Sequence, residues 1–180
     1  MDGARACFHR HGFHAAGTAD IAAAAKVSVA NLYQYFSSKD ELIIAIAEED
    51  LNADLALLGT IKSAGSIEKA MELAVEAITR EASDPSVSRL RLEVSTEATR
   101  NPGVADVVLR AEHMQRAALE EWIRQSQAKG ELAADLDPEL SAFALLCLID
   151  GAFARVATGV LQPGSAARDL MCAIRALFRI

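Results

Sequence analysis

Apolar residues recur along this chain at helical spacing, as in Leu51, Leu55 and Leu58 or Met71, Val75 and Ile78. Runs of β-branched and aromatic residues with alternating polarity, the mark of half-buried strands, are absent. The breaks are as regular as the stripes. Asp84-Pro85, Asn101-Pro102 and Asp137-Pro138 each put a capping side chain before a proline at the first helical position, where a missing N–H costs nothing. Gln162-Pro163-Gly164 marks another break, and Ser38-x-x-Glu41 is a capping box opening a helix near Lys39. Gly12 and Gly17 bracket the first loop, Gly59 and Gly65 a later one, and Gly130 ends the long segment that begins at Pro102. The pattern predicts an all-α chain with helices over 2–11, 18–25, 29–35, 39–58, 66–82, 86–99, 102–129, 138–158 and 164–179.

One stretch stands apart. From Thr18 to Leu42 the spacing gives a short helix, a turn at Lys26-Val27-Ser28, a second short helix Val29–Tyr35 and then the capped helix at Lys39. Such a helix-turn-helix sets its second helix into the major groove of DNA. On that helix Val27, Leu32 and Phe36 fall close to one face, suited to packing on Ile21 and Phe8. Val29, Ala30, Tyr33 and Gln34 take the opposite face, with Asn31 and Tyr35 at its flanks. Small residues at 29 and 30 permit close approach to the groove floor. Asn31 and Gln34 can read adenine edges, and the hydroxyls of Tyr33 and Tyr35 can donate to phosphates. Lys39 adds a cation beside the free N–H groups of a helix start, and Thr18, as N-cap of the preceding helix, adds a hydroxyl. The plainer alternative is two half-buried tyrosines and a solvated lysine, but a short helix with so polar-aromatic a surface needs a partner.

Charge limits where that partner can approach. The net charge is −7, yet residues 1–42 balance four basic side chains against four acidic ones, and the remainder holds 14 basic and 21 acidic. Only a neutral head can meet phosphate without repulsion, and its weak charge predicts weak nonspecific affinity. The helix from Lys39 runs out of this head, so the division is a head over 1–42 and a body over 43–180 coupled as by a lever, about 30 Å long at ~1.5 Å per residue.

The three cysteines, Cys7, Cys147 and Cys172, are widely spaced in apolar surroundings with no CxxC pair, as expected of buried thiols in a reducing cytoplasm. The N-terminus carries no signal peptide, and the most apolar run, Leu140–Ile149, is shorter than the ~20 residues that span a bilayer, so a soluble protein without membrane contact is expected. No cofactor or metal is implied: Cys7, His9, His11 and His14 lie close together, but no second cluster supplies further ligands. Catalytic signatures such as GxSxG, HExxH or a P-loop are absent, and the chain does not read as an enzyme.

At Phe8, Gly12-Phe13, Thr18, Ile21-Ala22, Val27-Ser28, Leu32-Tyr33, Phe36 and Lys39-x-x-Leu42 the segment resembles the DNA-binding domain of TetR/AcrR-type transcriptional regulators. The resemblance implies that Val29, Ala30 and Asn31 face bases with Gln34 nearby, while Thr18, Ser28, Tyr33, Tyr35 and Lys39 hold phosphates. It also implies a homodimer and a divergent C-terminal domain for effector binding and dimerisation, in which 140–161 and 166–180 would form the four-helix interface such proteins use. Two-fold symmetry would then present recognition helices to half-sites roughly 34–36 Å apart on a palindromic operator. Two departures stand out: Lys26 occupies a turn position where the family usually has glycine, and the start of the family's first helix and the basic arm before it are lacking from this sequence.

For a small-molecule effector, Trp122, Met114, Phe143 and Phe153 are candidate cavity walls, with Glu97, His113 or Asp150 as polar contacts. Each also fits ordinary roles: Trp122 in the core, His113 and Glu97 on a solvated face, Asp150 in a dimer-interface hydrogen bond. The expected function is a ligand-responsive transcriptional regulator, most often a repressor released by a small-molecule effector. The alternative is a helical small-molecule-binding or interaction module without DNA binding.

Overall fold

A computed structural model describes residues 1–180 apart from the side chain of Pro163. Among the described residues the chain forms nine helices and no strand: α1 (Asp2–Ala15), α2 (Thr18–Ala24), α3 (Val29–Tyr35), α4 (Lys39–Lys62), α5 (Ile67–Ala82), α6 (Pro85–Ala98), α7 (Pro102–Ala128), α8 (Pro138–Ala157) and α9 (Pro163–Phe178). The all-α reading holds, and α6, α7, α8 and α9 each begin at a proline. Asn101 Oδ1 accepts from the N–H groups of Gly103 and Val104, and Asp137 Oδ1 from those of Glu139 and Leu140, so both caps form as the Asx-Pro spacing predicts. Two boundaries differ. Gly59 lies inside α4 instead of ending it, because the turn to α5 is made by Gly65 at φ +84°. Gly12 breaks α1 (φ 73°, ψ 161°), but one further helical turn follows before the chain leaves at Ala16.

The chain divides into two compact units. The first takes Met1–Asn52 together with Pro85–Arg110, and the second Ala53–Asp84 together with Ala111–Ile180. The first unit is thus larger than the expected head over 1–42. The reason is apolar: Leu90 of α6 and Val104 of α7 belong to the same buried cluster as Phe8, Phe13, Ile21, Leu42, Ile43 and Ile46. Burying such side chains stabilises by about 1.5–3 kcal/mol each, which binds α6 to the α1–α4 core. Phe8 and Phe13 meet edge to face at 5.3 Å within it.

In the second unit α5, α8 and α9 bury Met71, Val75, Ile78, Leu145, Phe153, Leu170, Ile174 and Phe178. Trp122 of α7 stands edge-on to Phe178 at 6.1 Å and is a core residue. Although α8 is apolar over most of its length, it is not buried all round: Leu140 is 63% and Phe143 46% exposed, and Cys147 on the same face is exposed too. An 18-residue window of this 20-residue helix has a mean hydropathy of 1.8, so by length and composition alone it is long and apolar enough to cross a membrane, although Asp150 and Arg155 interrupt it. Cys172 of α9 is also exposed, and only Cys7 is the buried thiol expected of all three. Within this unit the helices shield one side of α8 and leave its Leu140–Phe143–Cys147 side open.

One close approach was not legible beforehand. A Cβ on Gly3 would lie 2.4 Å from the Cα and N of Ala25, so α1 crosses the end of α2 with backbone nearly against backbone. Gly3→Ala must push the two apart. Overpacking costs about 1–3 kcal/mol, opposed by up to ~1 kcal/mol of gained helix propensity. A net loss of about 1–2 kcal/mol in denaturant-unfolding stability is expected, with a lower melting temperature.

Candidate nucleic-acid interface

The reading surface begins with the turn that aims it. The N–H of Val27 bonds the carbonyl of Ala22 at 3.0 Å and that of Lys26 the carbonyl of Ala23 at 3.1 Å, the paired bonds of a Schellman ending to α2. That ending requires a left-handed residue after the cap, and Lys26 supplies it at φ +58°. Glycine takes this conformation freely, whereas a lysine holds it against roughly 1–2 kcal/mol of steric cost. The turn geometry is therefore kept although the residue differs. At the other end of α2 the N-cap is Gly17, not Thr18: the Gly17 N–H donates to Asp20 Oδ2 at 3.2 Å, and half-buried Thr18 is the first helical residue.

Ser28 caps α3, its Oγ accepting the Asn31 N–H at 3.1 Å, which leaves the hydroxyl proton to donate elsewhere. None of the seven residues of α3 is buried. Leu32 and Phe36 pack half-buried on the cluster holding Phe8 and Ile21, as their spacing predicts. Val27, expected beside them, is 37% exposed, because the left-handed turn swings it outward. Val29, Ala30, Tyr33, Gln34 and Tyr35 are exposed and Asn31 is half-exposed, with Tyr35 at 76% the most open. The two tyrosines are not packing residues.

Lys39 is where the structure departs most from expectation. Its Nζ donates to the carbonyls of Phe13 at 2.7 Å, His14 at 3.1 Å and Ala16 at 3.3 Å, and sits 4.6 Å over the Phe13 ring. An ammonium has three N–H groups, and all three are occupied within the unit. The start of α4 is fixed by Ser38, whose Oγ accepts the Glu41 N–H, while Glu41 Oε2 accepts the Ser37 N–H at 2.7 Å, one residue ahead of the usual box.

The candidate effector residues are not brought together. Glu97 belongs to the first unit, buried between Arg100 Nε at 3.0 Å and His14 Nε2 at 3.3 Å, neither solvated nor a cavity contact. Of the rest, Trp122 and Phe153 are core, whereas His113, Met114, Phe143 and Asp150 are exposed, with Phe143 5.5 Å under the Arg116 guanidinium. The reason is register: these side chains fall on different faces of α7 and α8. Among the described residues no group of three or more His, Cys, Asp or Glu side chains is arranged to hold a metal ion.

Residues 1–46 match the family described as bacterial regulatory proteins, tetR family, and residues 66–179 match the C-terminal domain of BetI-type transcriptional repressors. The chain belongs to the TetR family of DNA-binding transcriptional regulators, which are not enzymes. It is 30% identical over 158 residues, 87% of this chain and 79% of the relative, to the HTH-type transcriptional regulator UidR of Escherichia coli K12. The structure of Salmonella enterica GusR is similar at 30% identity and a TM-score of 0.78, covering 99% of this chain and 93% of that one. Bacillus subtilis FadR, solved with stearoyl-CoA, shares the fold at 19% identity and a TM-score of 0.80, over 98% of this chain and 95% of that one.

The Glu41 cap makes stability depend on pH. Hydrogen bonds from Ser37, side chain first and then backbone, hold the carboxyl below its ordinary range. A carboxyl whose folded pKa lies below its unfolded one stabilises the fold above the unfolded value and loses that contribution as pH falls through the folded value. Glu41→Gln should accordingly melt with a shallower dependence on pH than the unsubstituted chain between about pH 5 and pH 3.

Proposed function

We propose that the protein is a ligand-responsive repressor that binds a palindromic operator as a homodimer and releases it when a small-molecule effector binds the C-terminal domain. The domain assignment keeps 1–42 as the DNA-reading part and 43–180 as the effector-binding and dimerising part, acting in the cytoplasm. The observation that carries the reading is α3: a helix with no buried residue, anchored from behind by Leu32 and Phe36, presenting Val29, Ala30, Asn31 and Gln34 for base edges. Thr18, Ser28, Tyr33 and Tyr35 supply neutral donors for phosphates. For the dimer, the support is the open apolar side of α8, where Leu140, Phe143 and Cys147 recur at i, i+3 and i+7, with Cys172 exposed on α9. A second copy covering that side through its own α8 and α9 forms an isologous interface. Effector release requires unequal affinity for the DNA-bound and free states; in support, Bacillus subtilis FadR, which shares the fold, was solved in complex with stearoyl-CoA.

Selection from random duplexes should return a palindrome with half-sites about one helical turn apart. Asn31→Ala should then relax preference at one position of each half-site, at about 1–3 kcal/mol. Leu140→Glu with Cys147→Glu should give monomers by light scattering and lose operator binding at the same protein concentration. Selection that returns no sequence, or an unchanged dimer in the double variant, contradicts the respective half of the reading.

A further inference from the structure

The turn that ends α1 is clamped from two sides. Gly12 leaves the helical conformation, and the Phe13 N–H then donates to Glu93 Oε2 of α6 at 3.3 Å. The space beside Gly12 is closed by the same carboxylate, since a Cβ there would stand 3.3 Å from Glu93 Oε1. Two residues on, His14 Nε2 lies 3.3 Å from Glu97 Oε2, one turn along α6. The carbonyls of Phe13, His14 and Ala16 all converge from the other side on Lys39 Nζ, with the Phe13 ring beneath it. One turn of backbone thus gives its N–H to α6 and its carbonyls to α4.

From this we infer that Lys39 is a positioning residue for DNA reading and not a phosphate ligand: it fixes the start of α4, and with it the exit of α3, against the end of α1. The inference rests on the DNA-binding reading of α3. Only Phe36, Ser37 and Ser38 separate Tyr35 from Lys39, and each is held: the Phe36 N–H bonds Leu32 O, Ser37 and Ser38 are tied to Glu41. The chain has no slack between the reading helix and the ammonium. Turning Lys39 toward a phosphate would strip three carbonyls of a charged donor and withdraw the cation from an aromatic face. On this account Glu93 and Glu97 are the α6 end of the same clamp, so the angle of α3 depends on where α6 stands.

The decisive variant keeps the charge. Lys39→Arg offers a phosphate an equal or better ligand, but a planar guanidinium cannot aim three donors at three carbonyls converging on one point. Operator affinity, measured across salt concentrations with a duplex selected by the protein, should fall at least about tenfold in both Lys39→Arg and Lys39→Met. The slope of log affinity against log salt should stay that of the unsubstituted protein in both. Retained affinity in Lys39→Arg, or a slope smaller by about 0.9 in Lys39→Met, identifies a phosphate ligand and overturns the inference. A second arm needs no DNA. In full-length free protein, amide hydrogen exchange at Phe13, Ala16 and Phe36 should quicken in Lys39→Arg, and unchanged exchange there likewise overturns it. If selection yields no duplex, the function reading fails, while the exchange arm still judges the clamp.

Discussion

A seven-residue helix with no buried side chain cannot hold itself in water, since helices shorter than about 12 residues are marginal even with ideal composition. α3 exists because Leu32 and Phe36 are set into the cluster of Phe8, Ile21 and Ile43 behind it. The residues proposed to read DNA are presented outward only because those two are anchored. The other constraints serve the same end. The left-handed Lys26 turns the chain into α3, the Ser28 hydroxyl starts it, and the Ser38–Glu41 cap takes the chain out of it.

The electrostatics of this surface are sparing. Of the four basic side chains in the first 42 residues, Arg5 pairs with Glu49 and Asp50 at 2.8 and 2.7 Å, and Lys39 is bound to carbonyls. Arg10 Nε donates to the Ala6 carbonyl at 3.3 Å, and Lys26 is exposed at the turn before α3. In the proposed complex much of the backbone contact falls to hydroxyls, which neutralise no charge and release no counterion. On the proposed reading, affinity built this way depends on two heads on one palindrome, and the open side of α8 is the surface proposed for pairing them.

The sequence alone disclosed most of the fold, because proline after Asx and glycine after a helix are local signals. All nine helices lie where their stripes and caps placed them but for the ends of α1 and α4, and the outward side of α3 follows from residue spacing alone. Less legible were features fixed by contact between distant segments. Lys39 reads locally as a cation at a helix start, and only the approach of residues 13–16, over twenty positions earlier, shows that its donors are taken. Glu93 and Glu97 are visibly one turn apart on α6, but nothing local says that their partner is the broken end of α1. Gly3 looks like any glycine until α2 crosses it. The burial of the candidate effector residues was hard to read for a related reason, since aromatic content along α7 and α8 does not tell which face turns inward.

The chain contains only two tyrosines, and both lie on α3. Tyrosine nitration is therefore a footprint of this helix alone. In free protein both rings should react, Tyr35 ahead of Tyr33 given exposures of 76% and 49%, and the selected duplex should shield both while a scrambled duplex does not. Equal reactivity of the two rings with and without a tightly bound duplex would mean that DNA meets some other surface, and the account of α3 as the reading helix would be wrong.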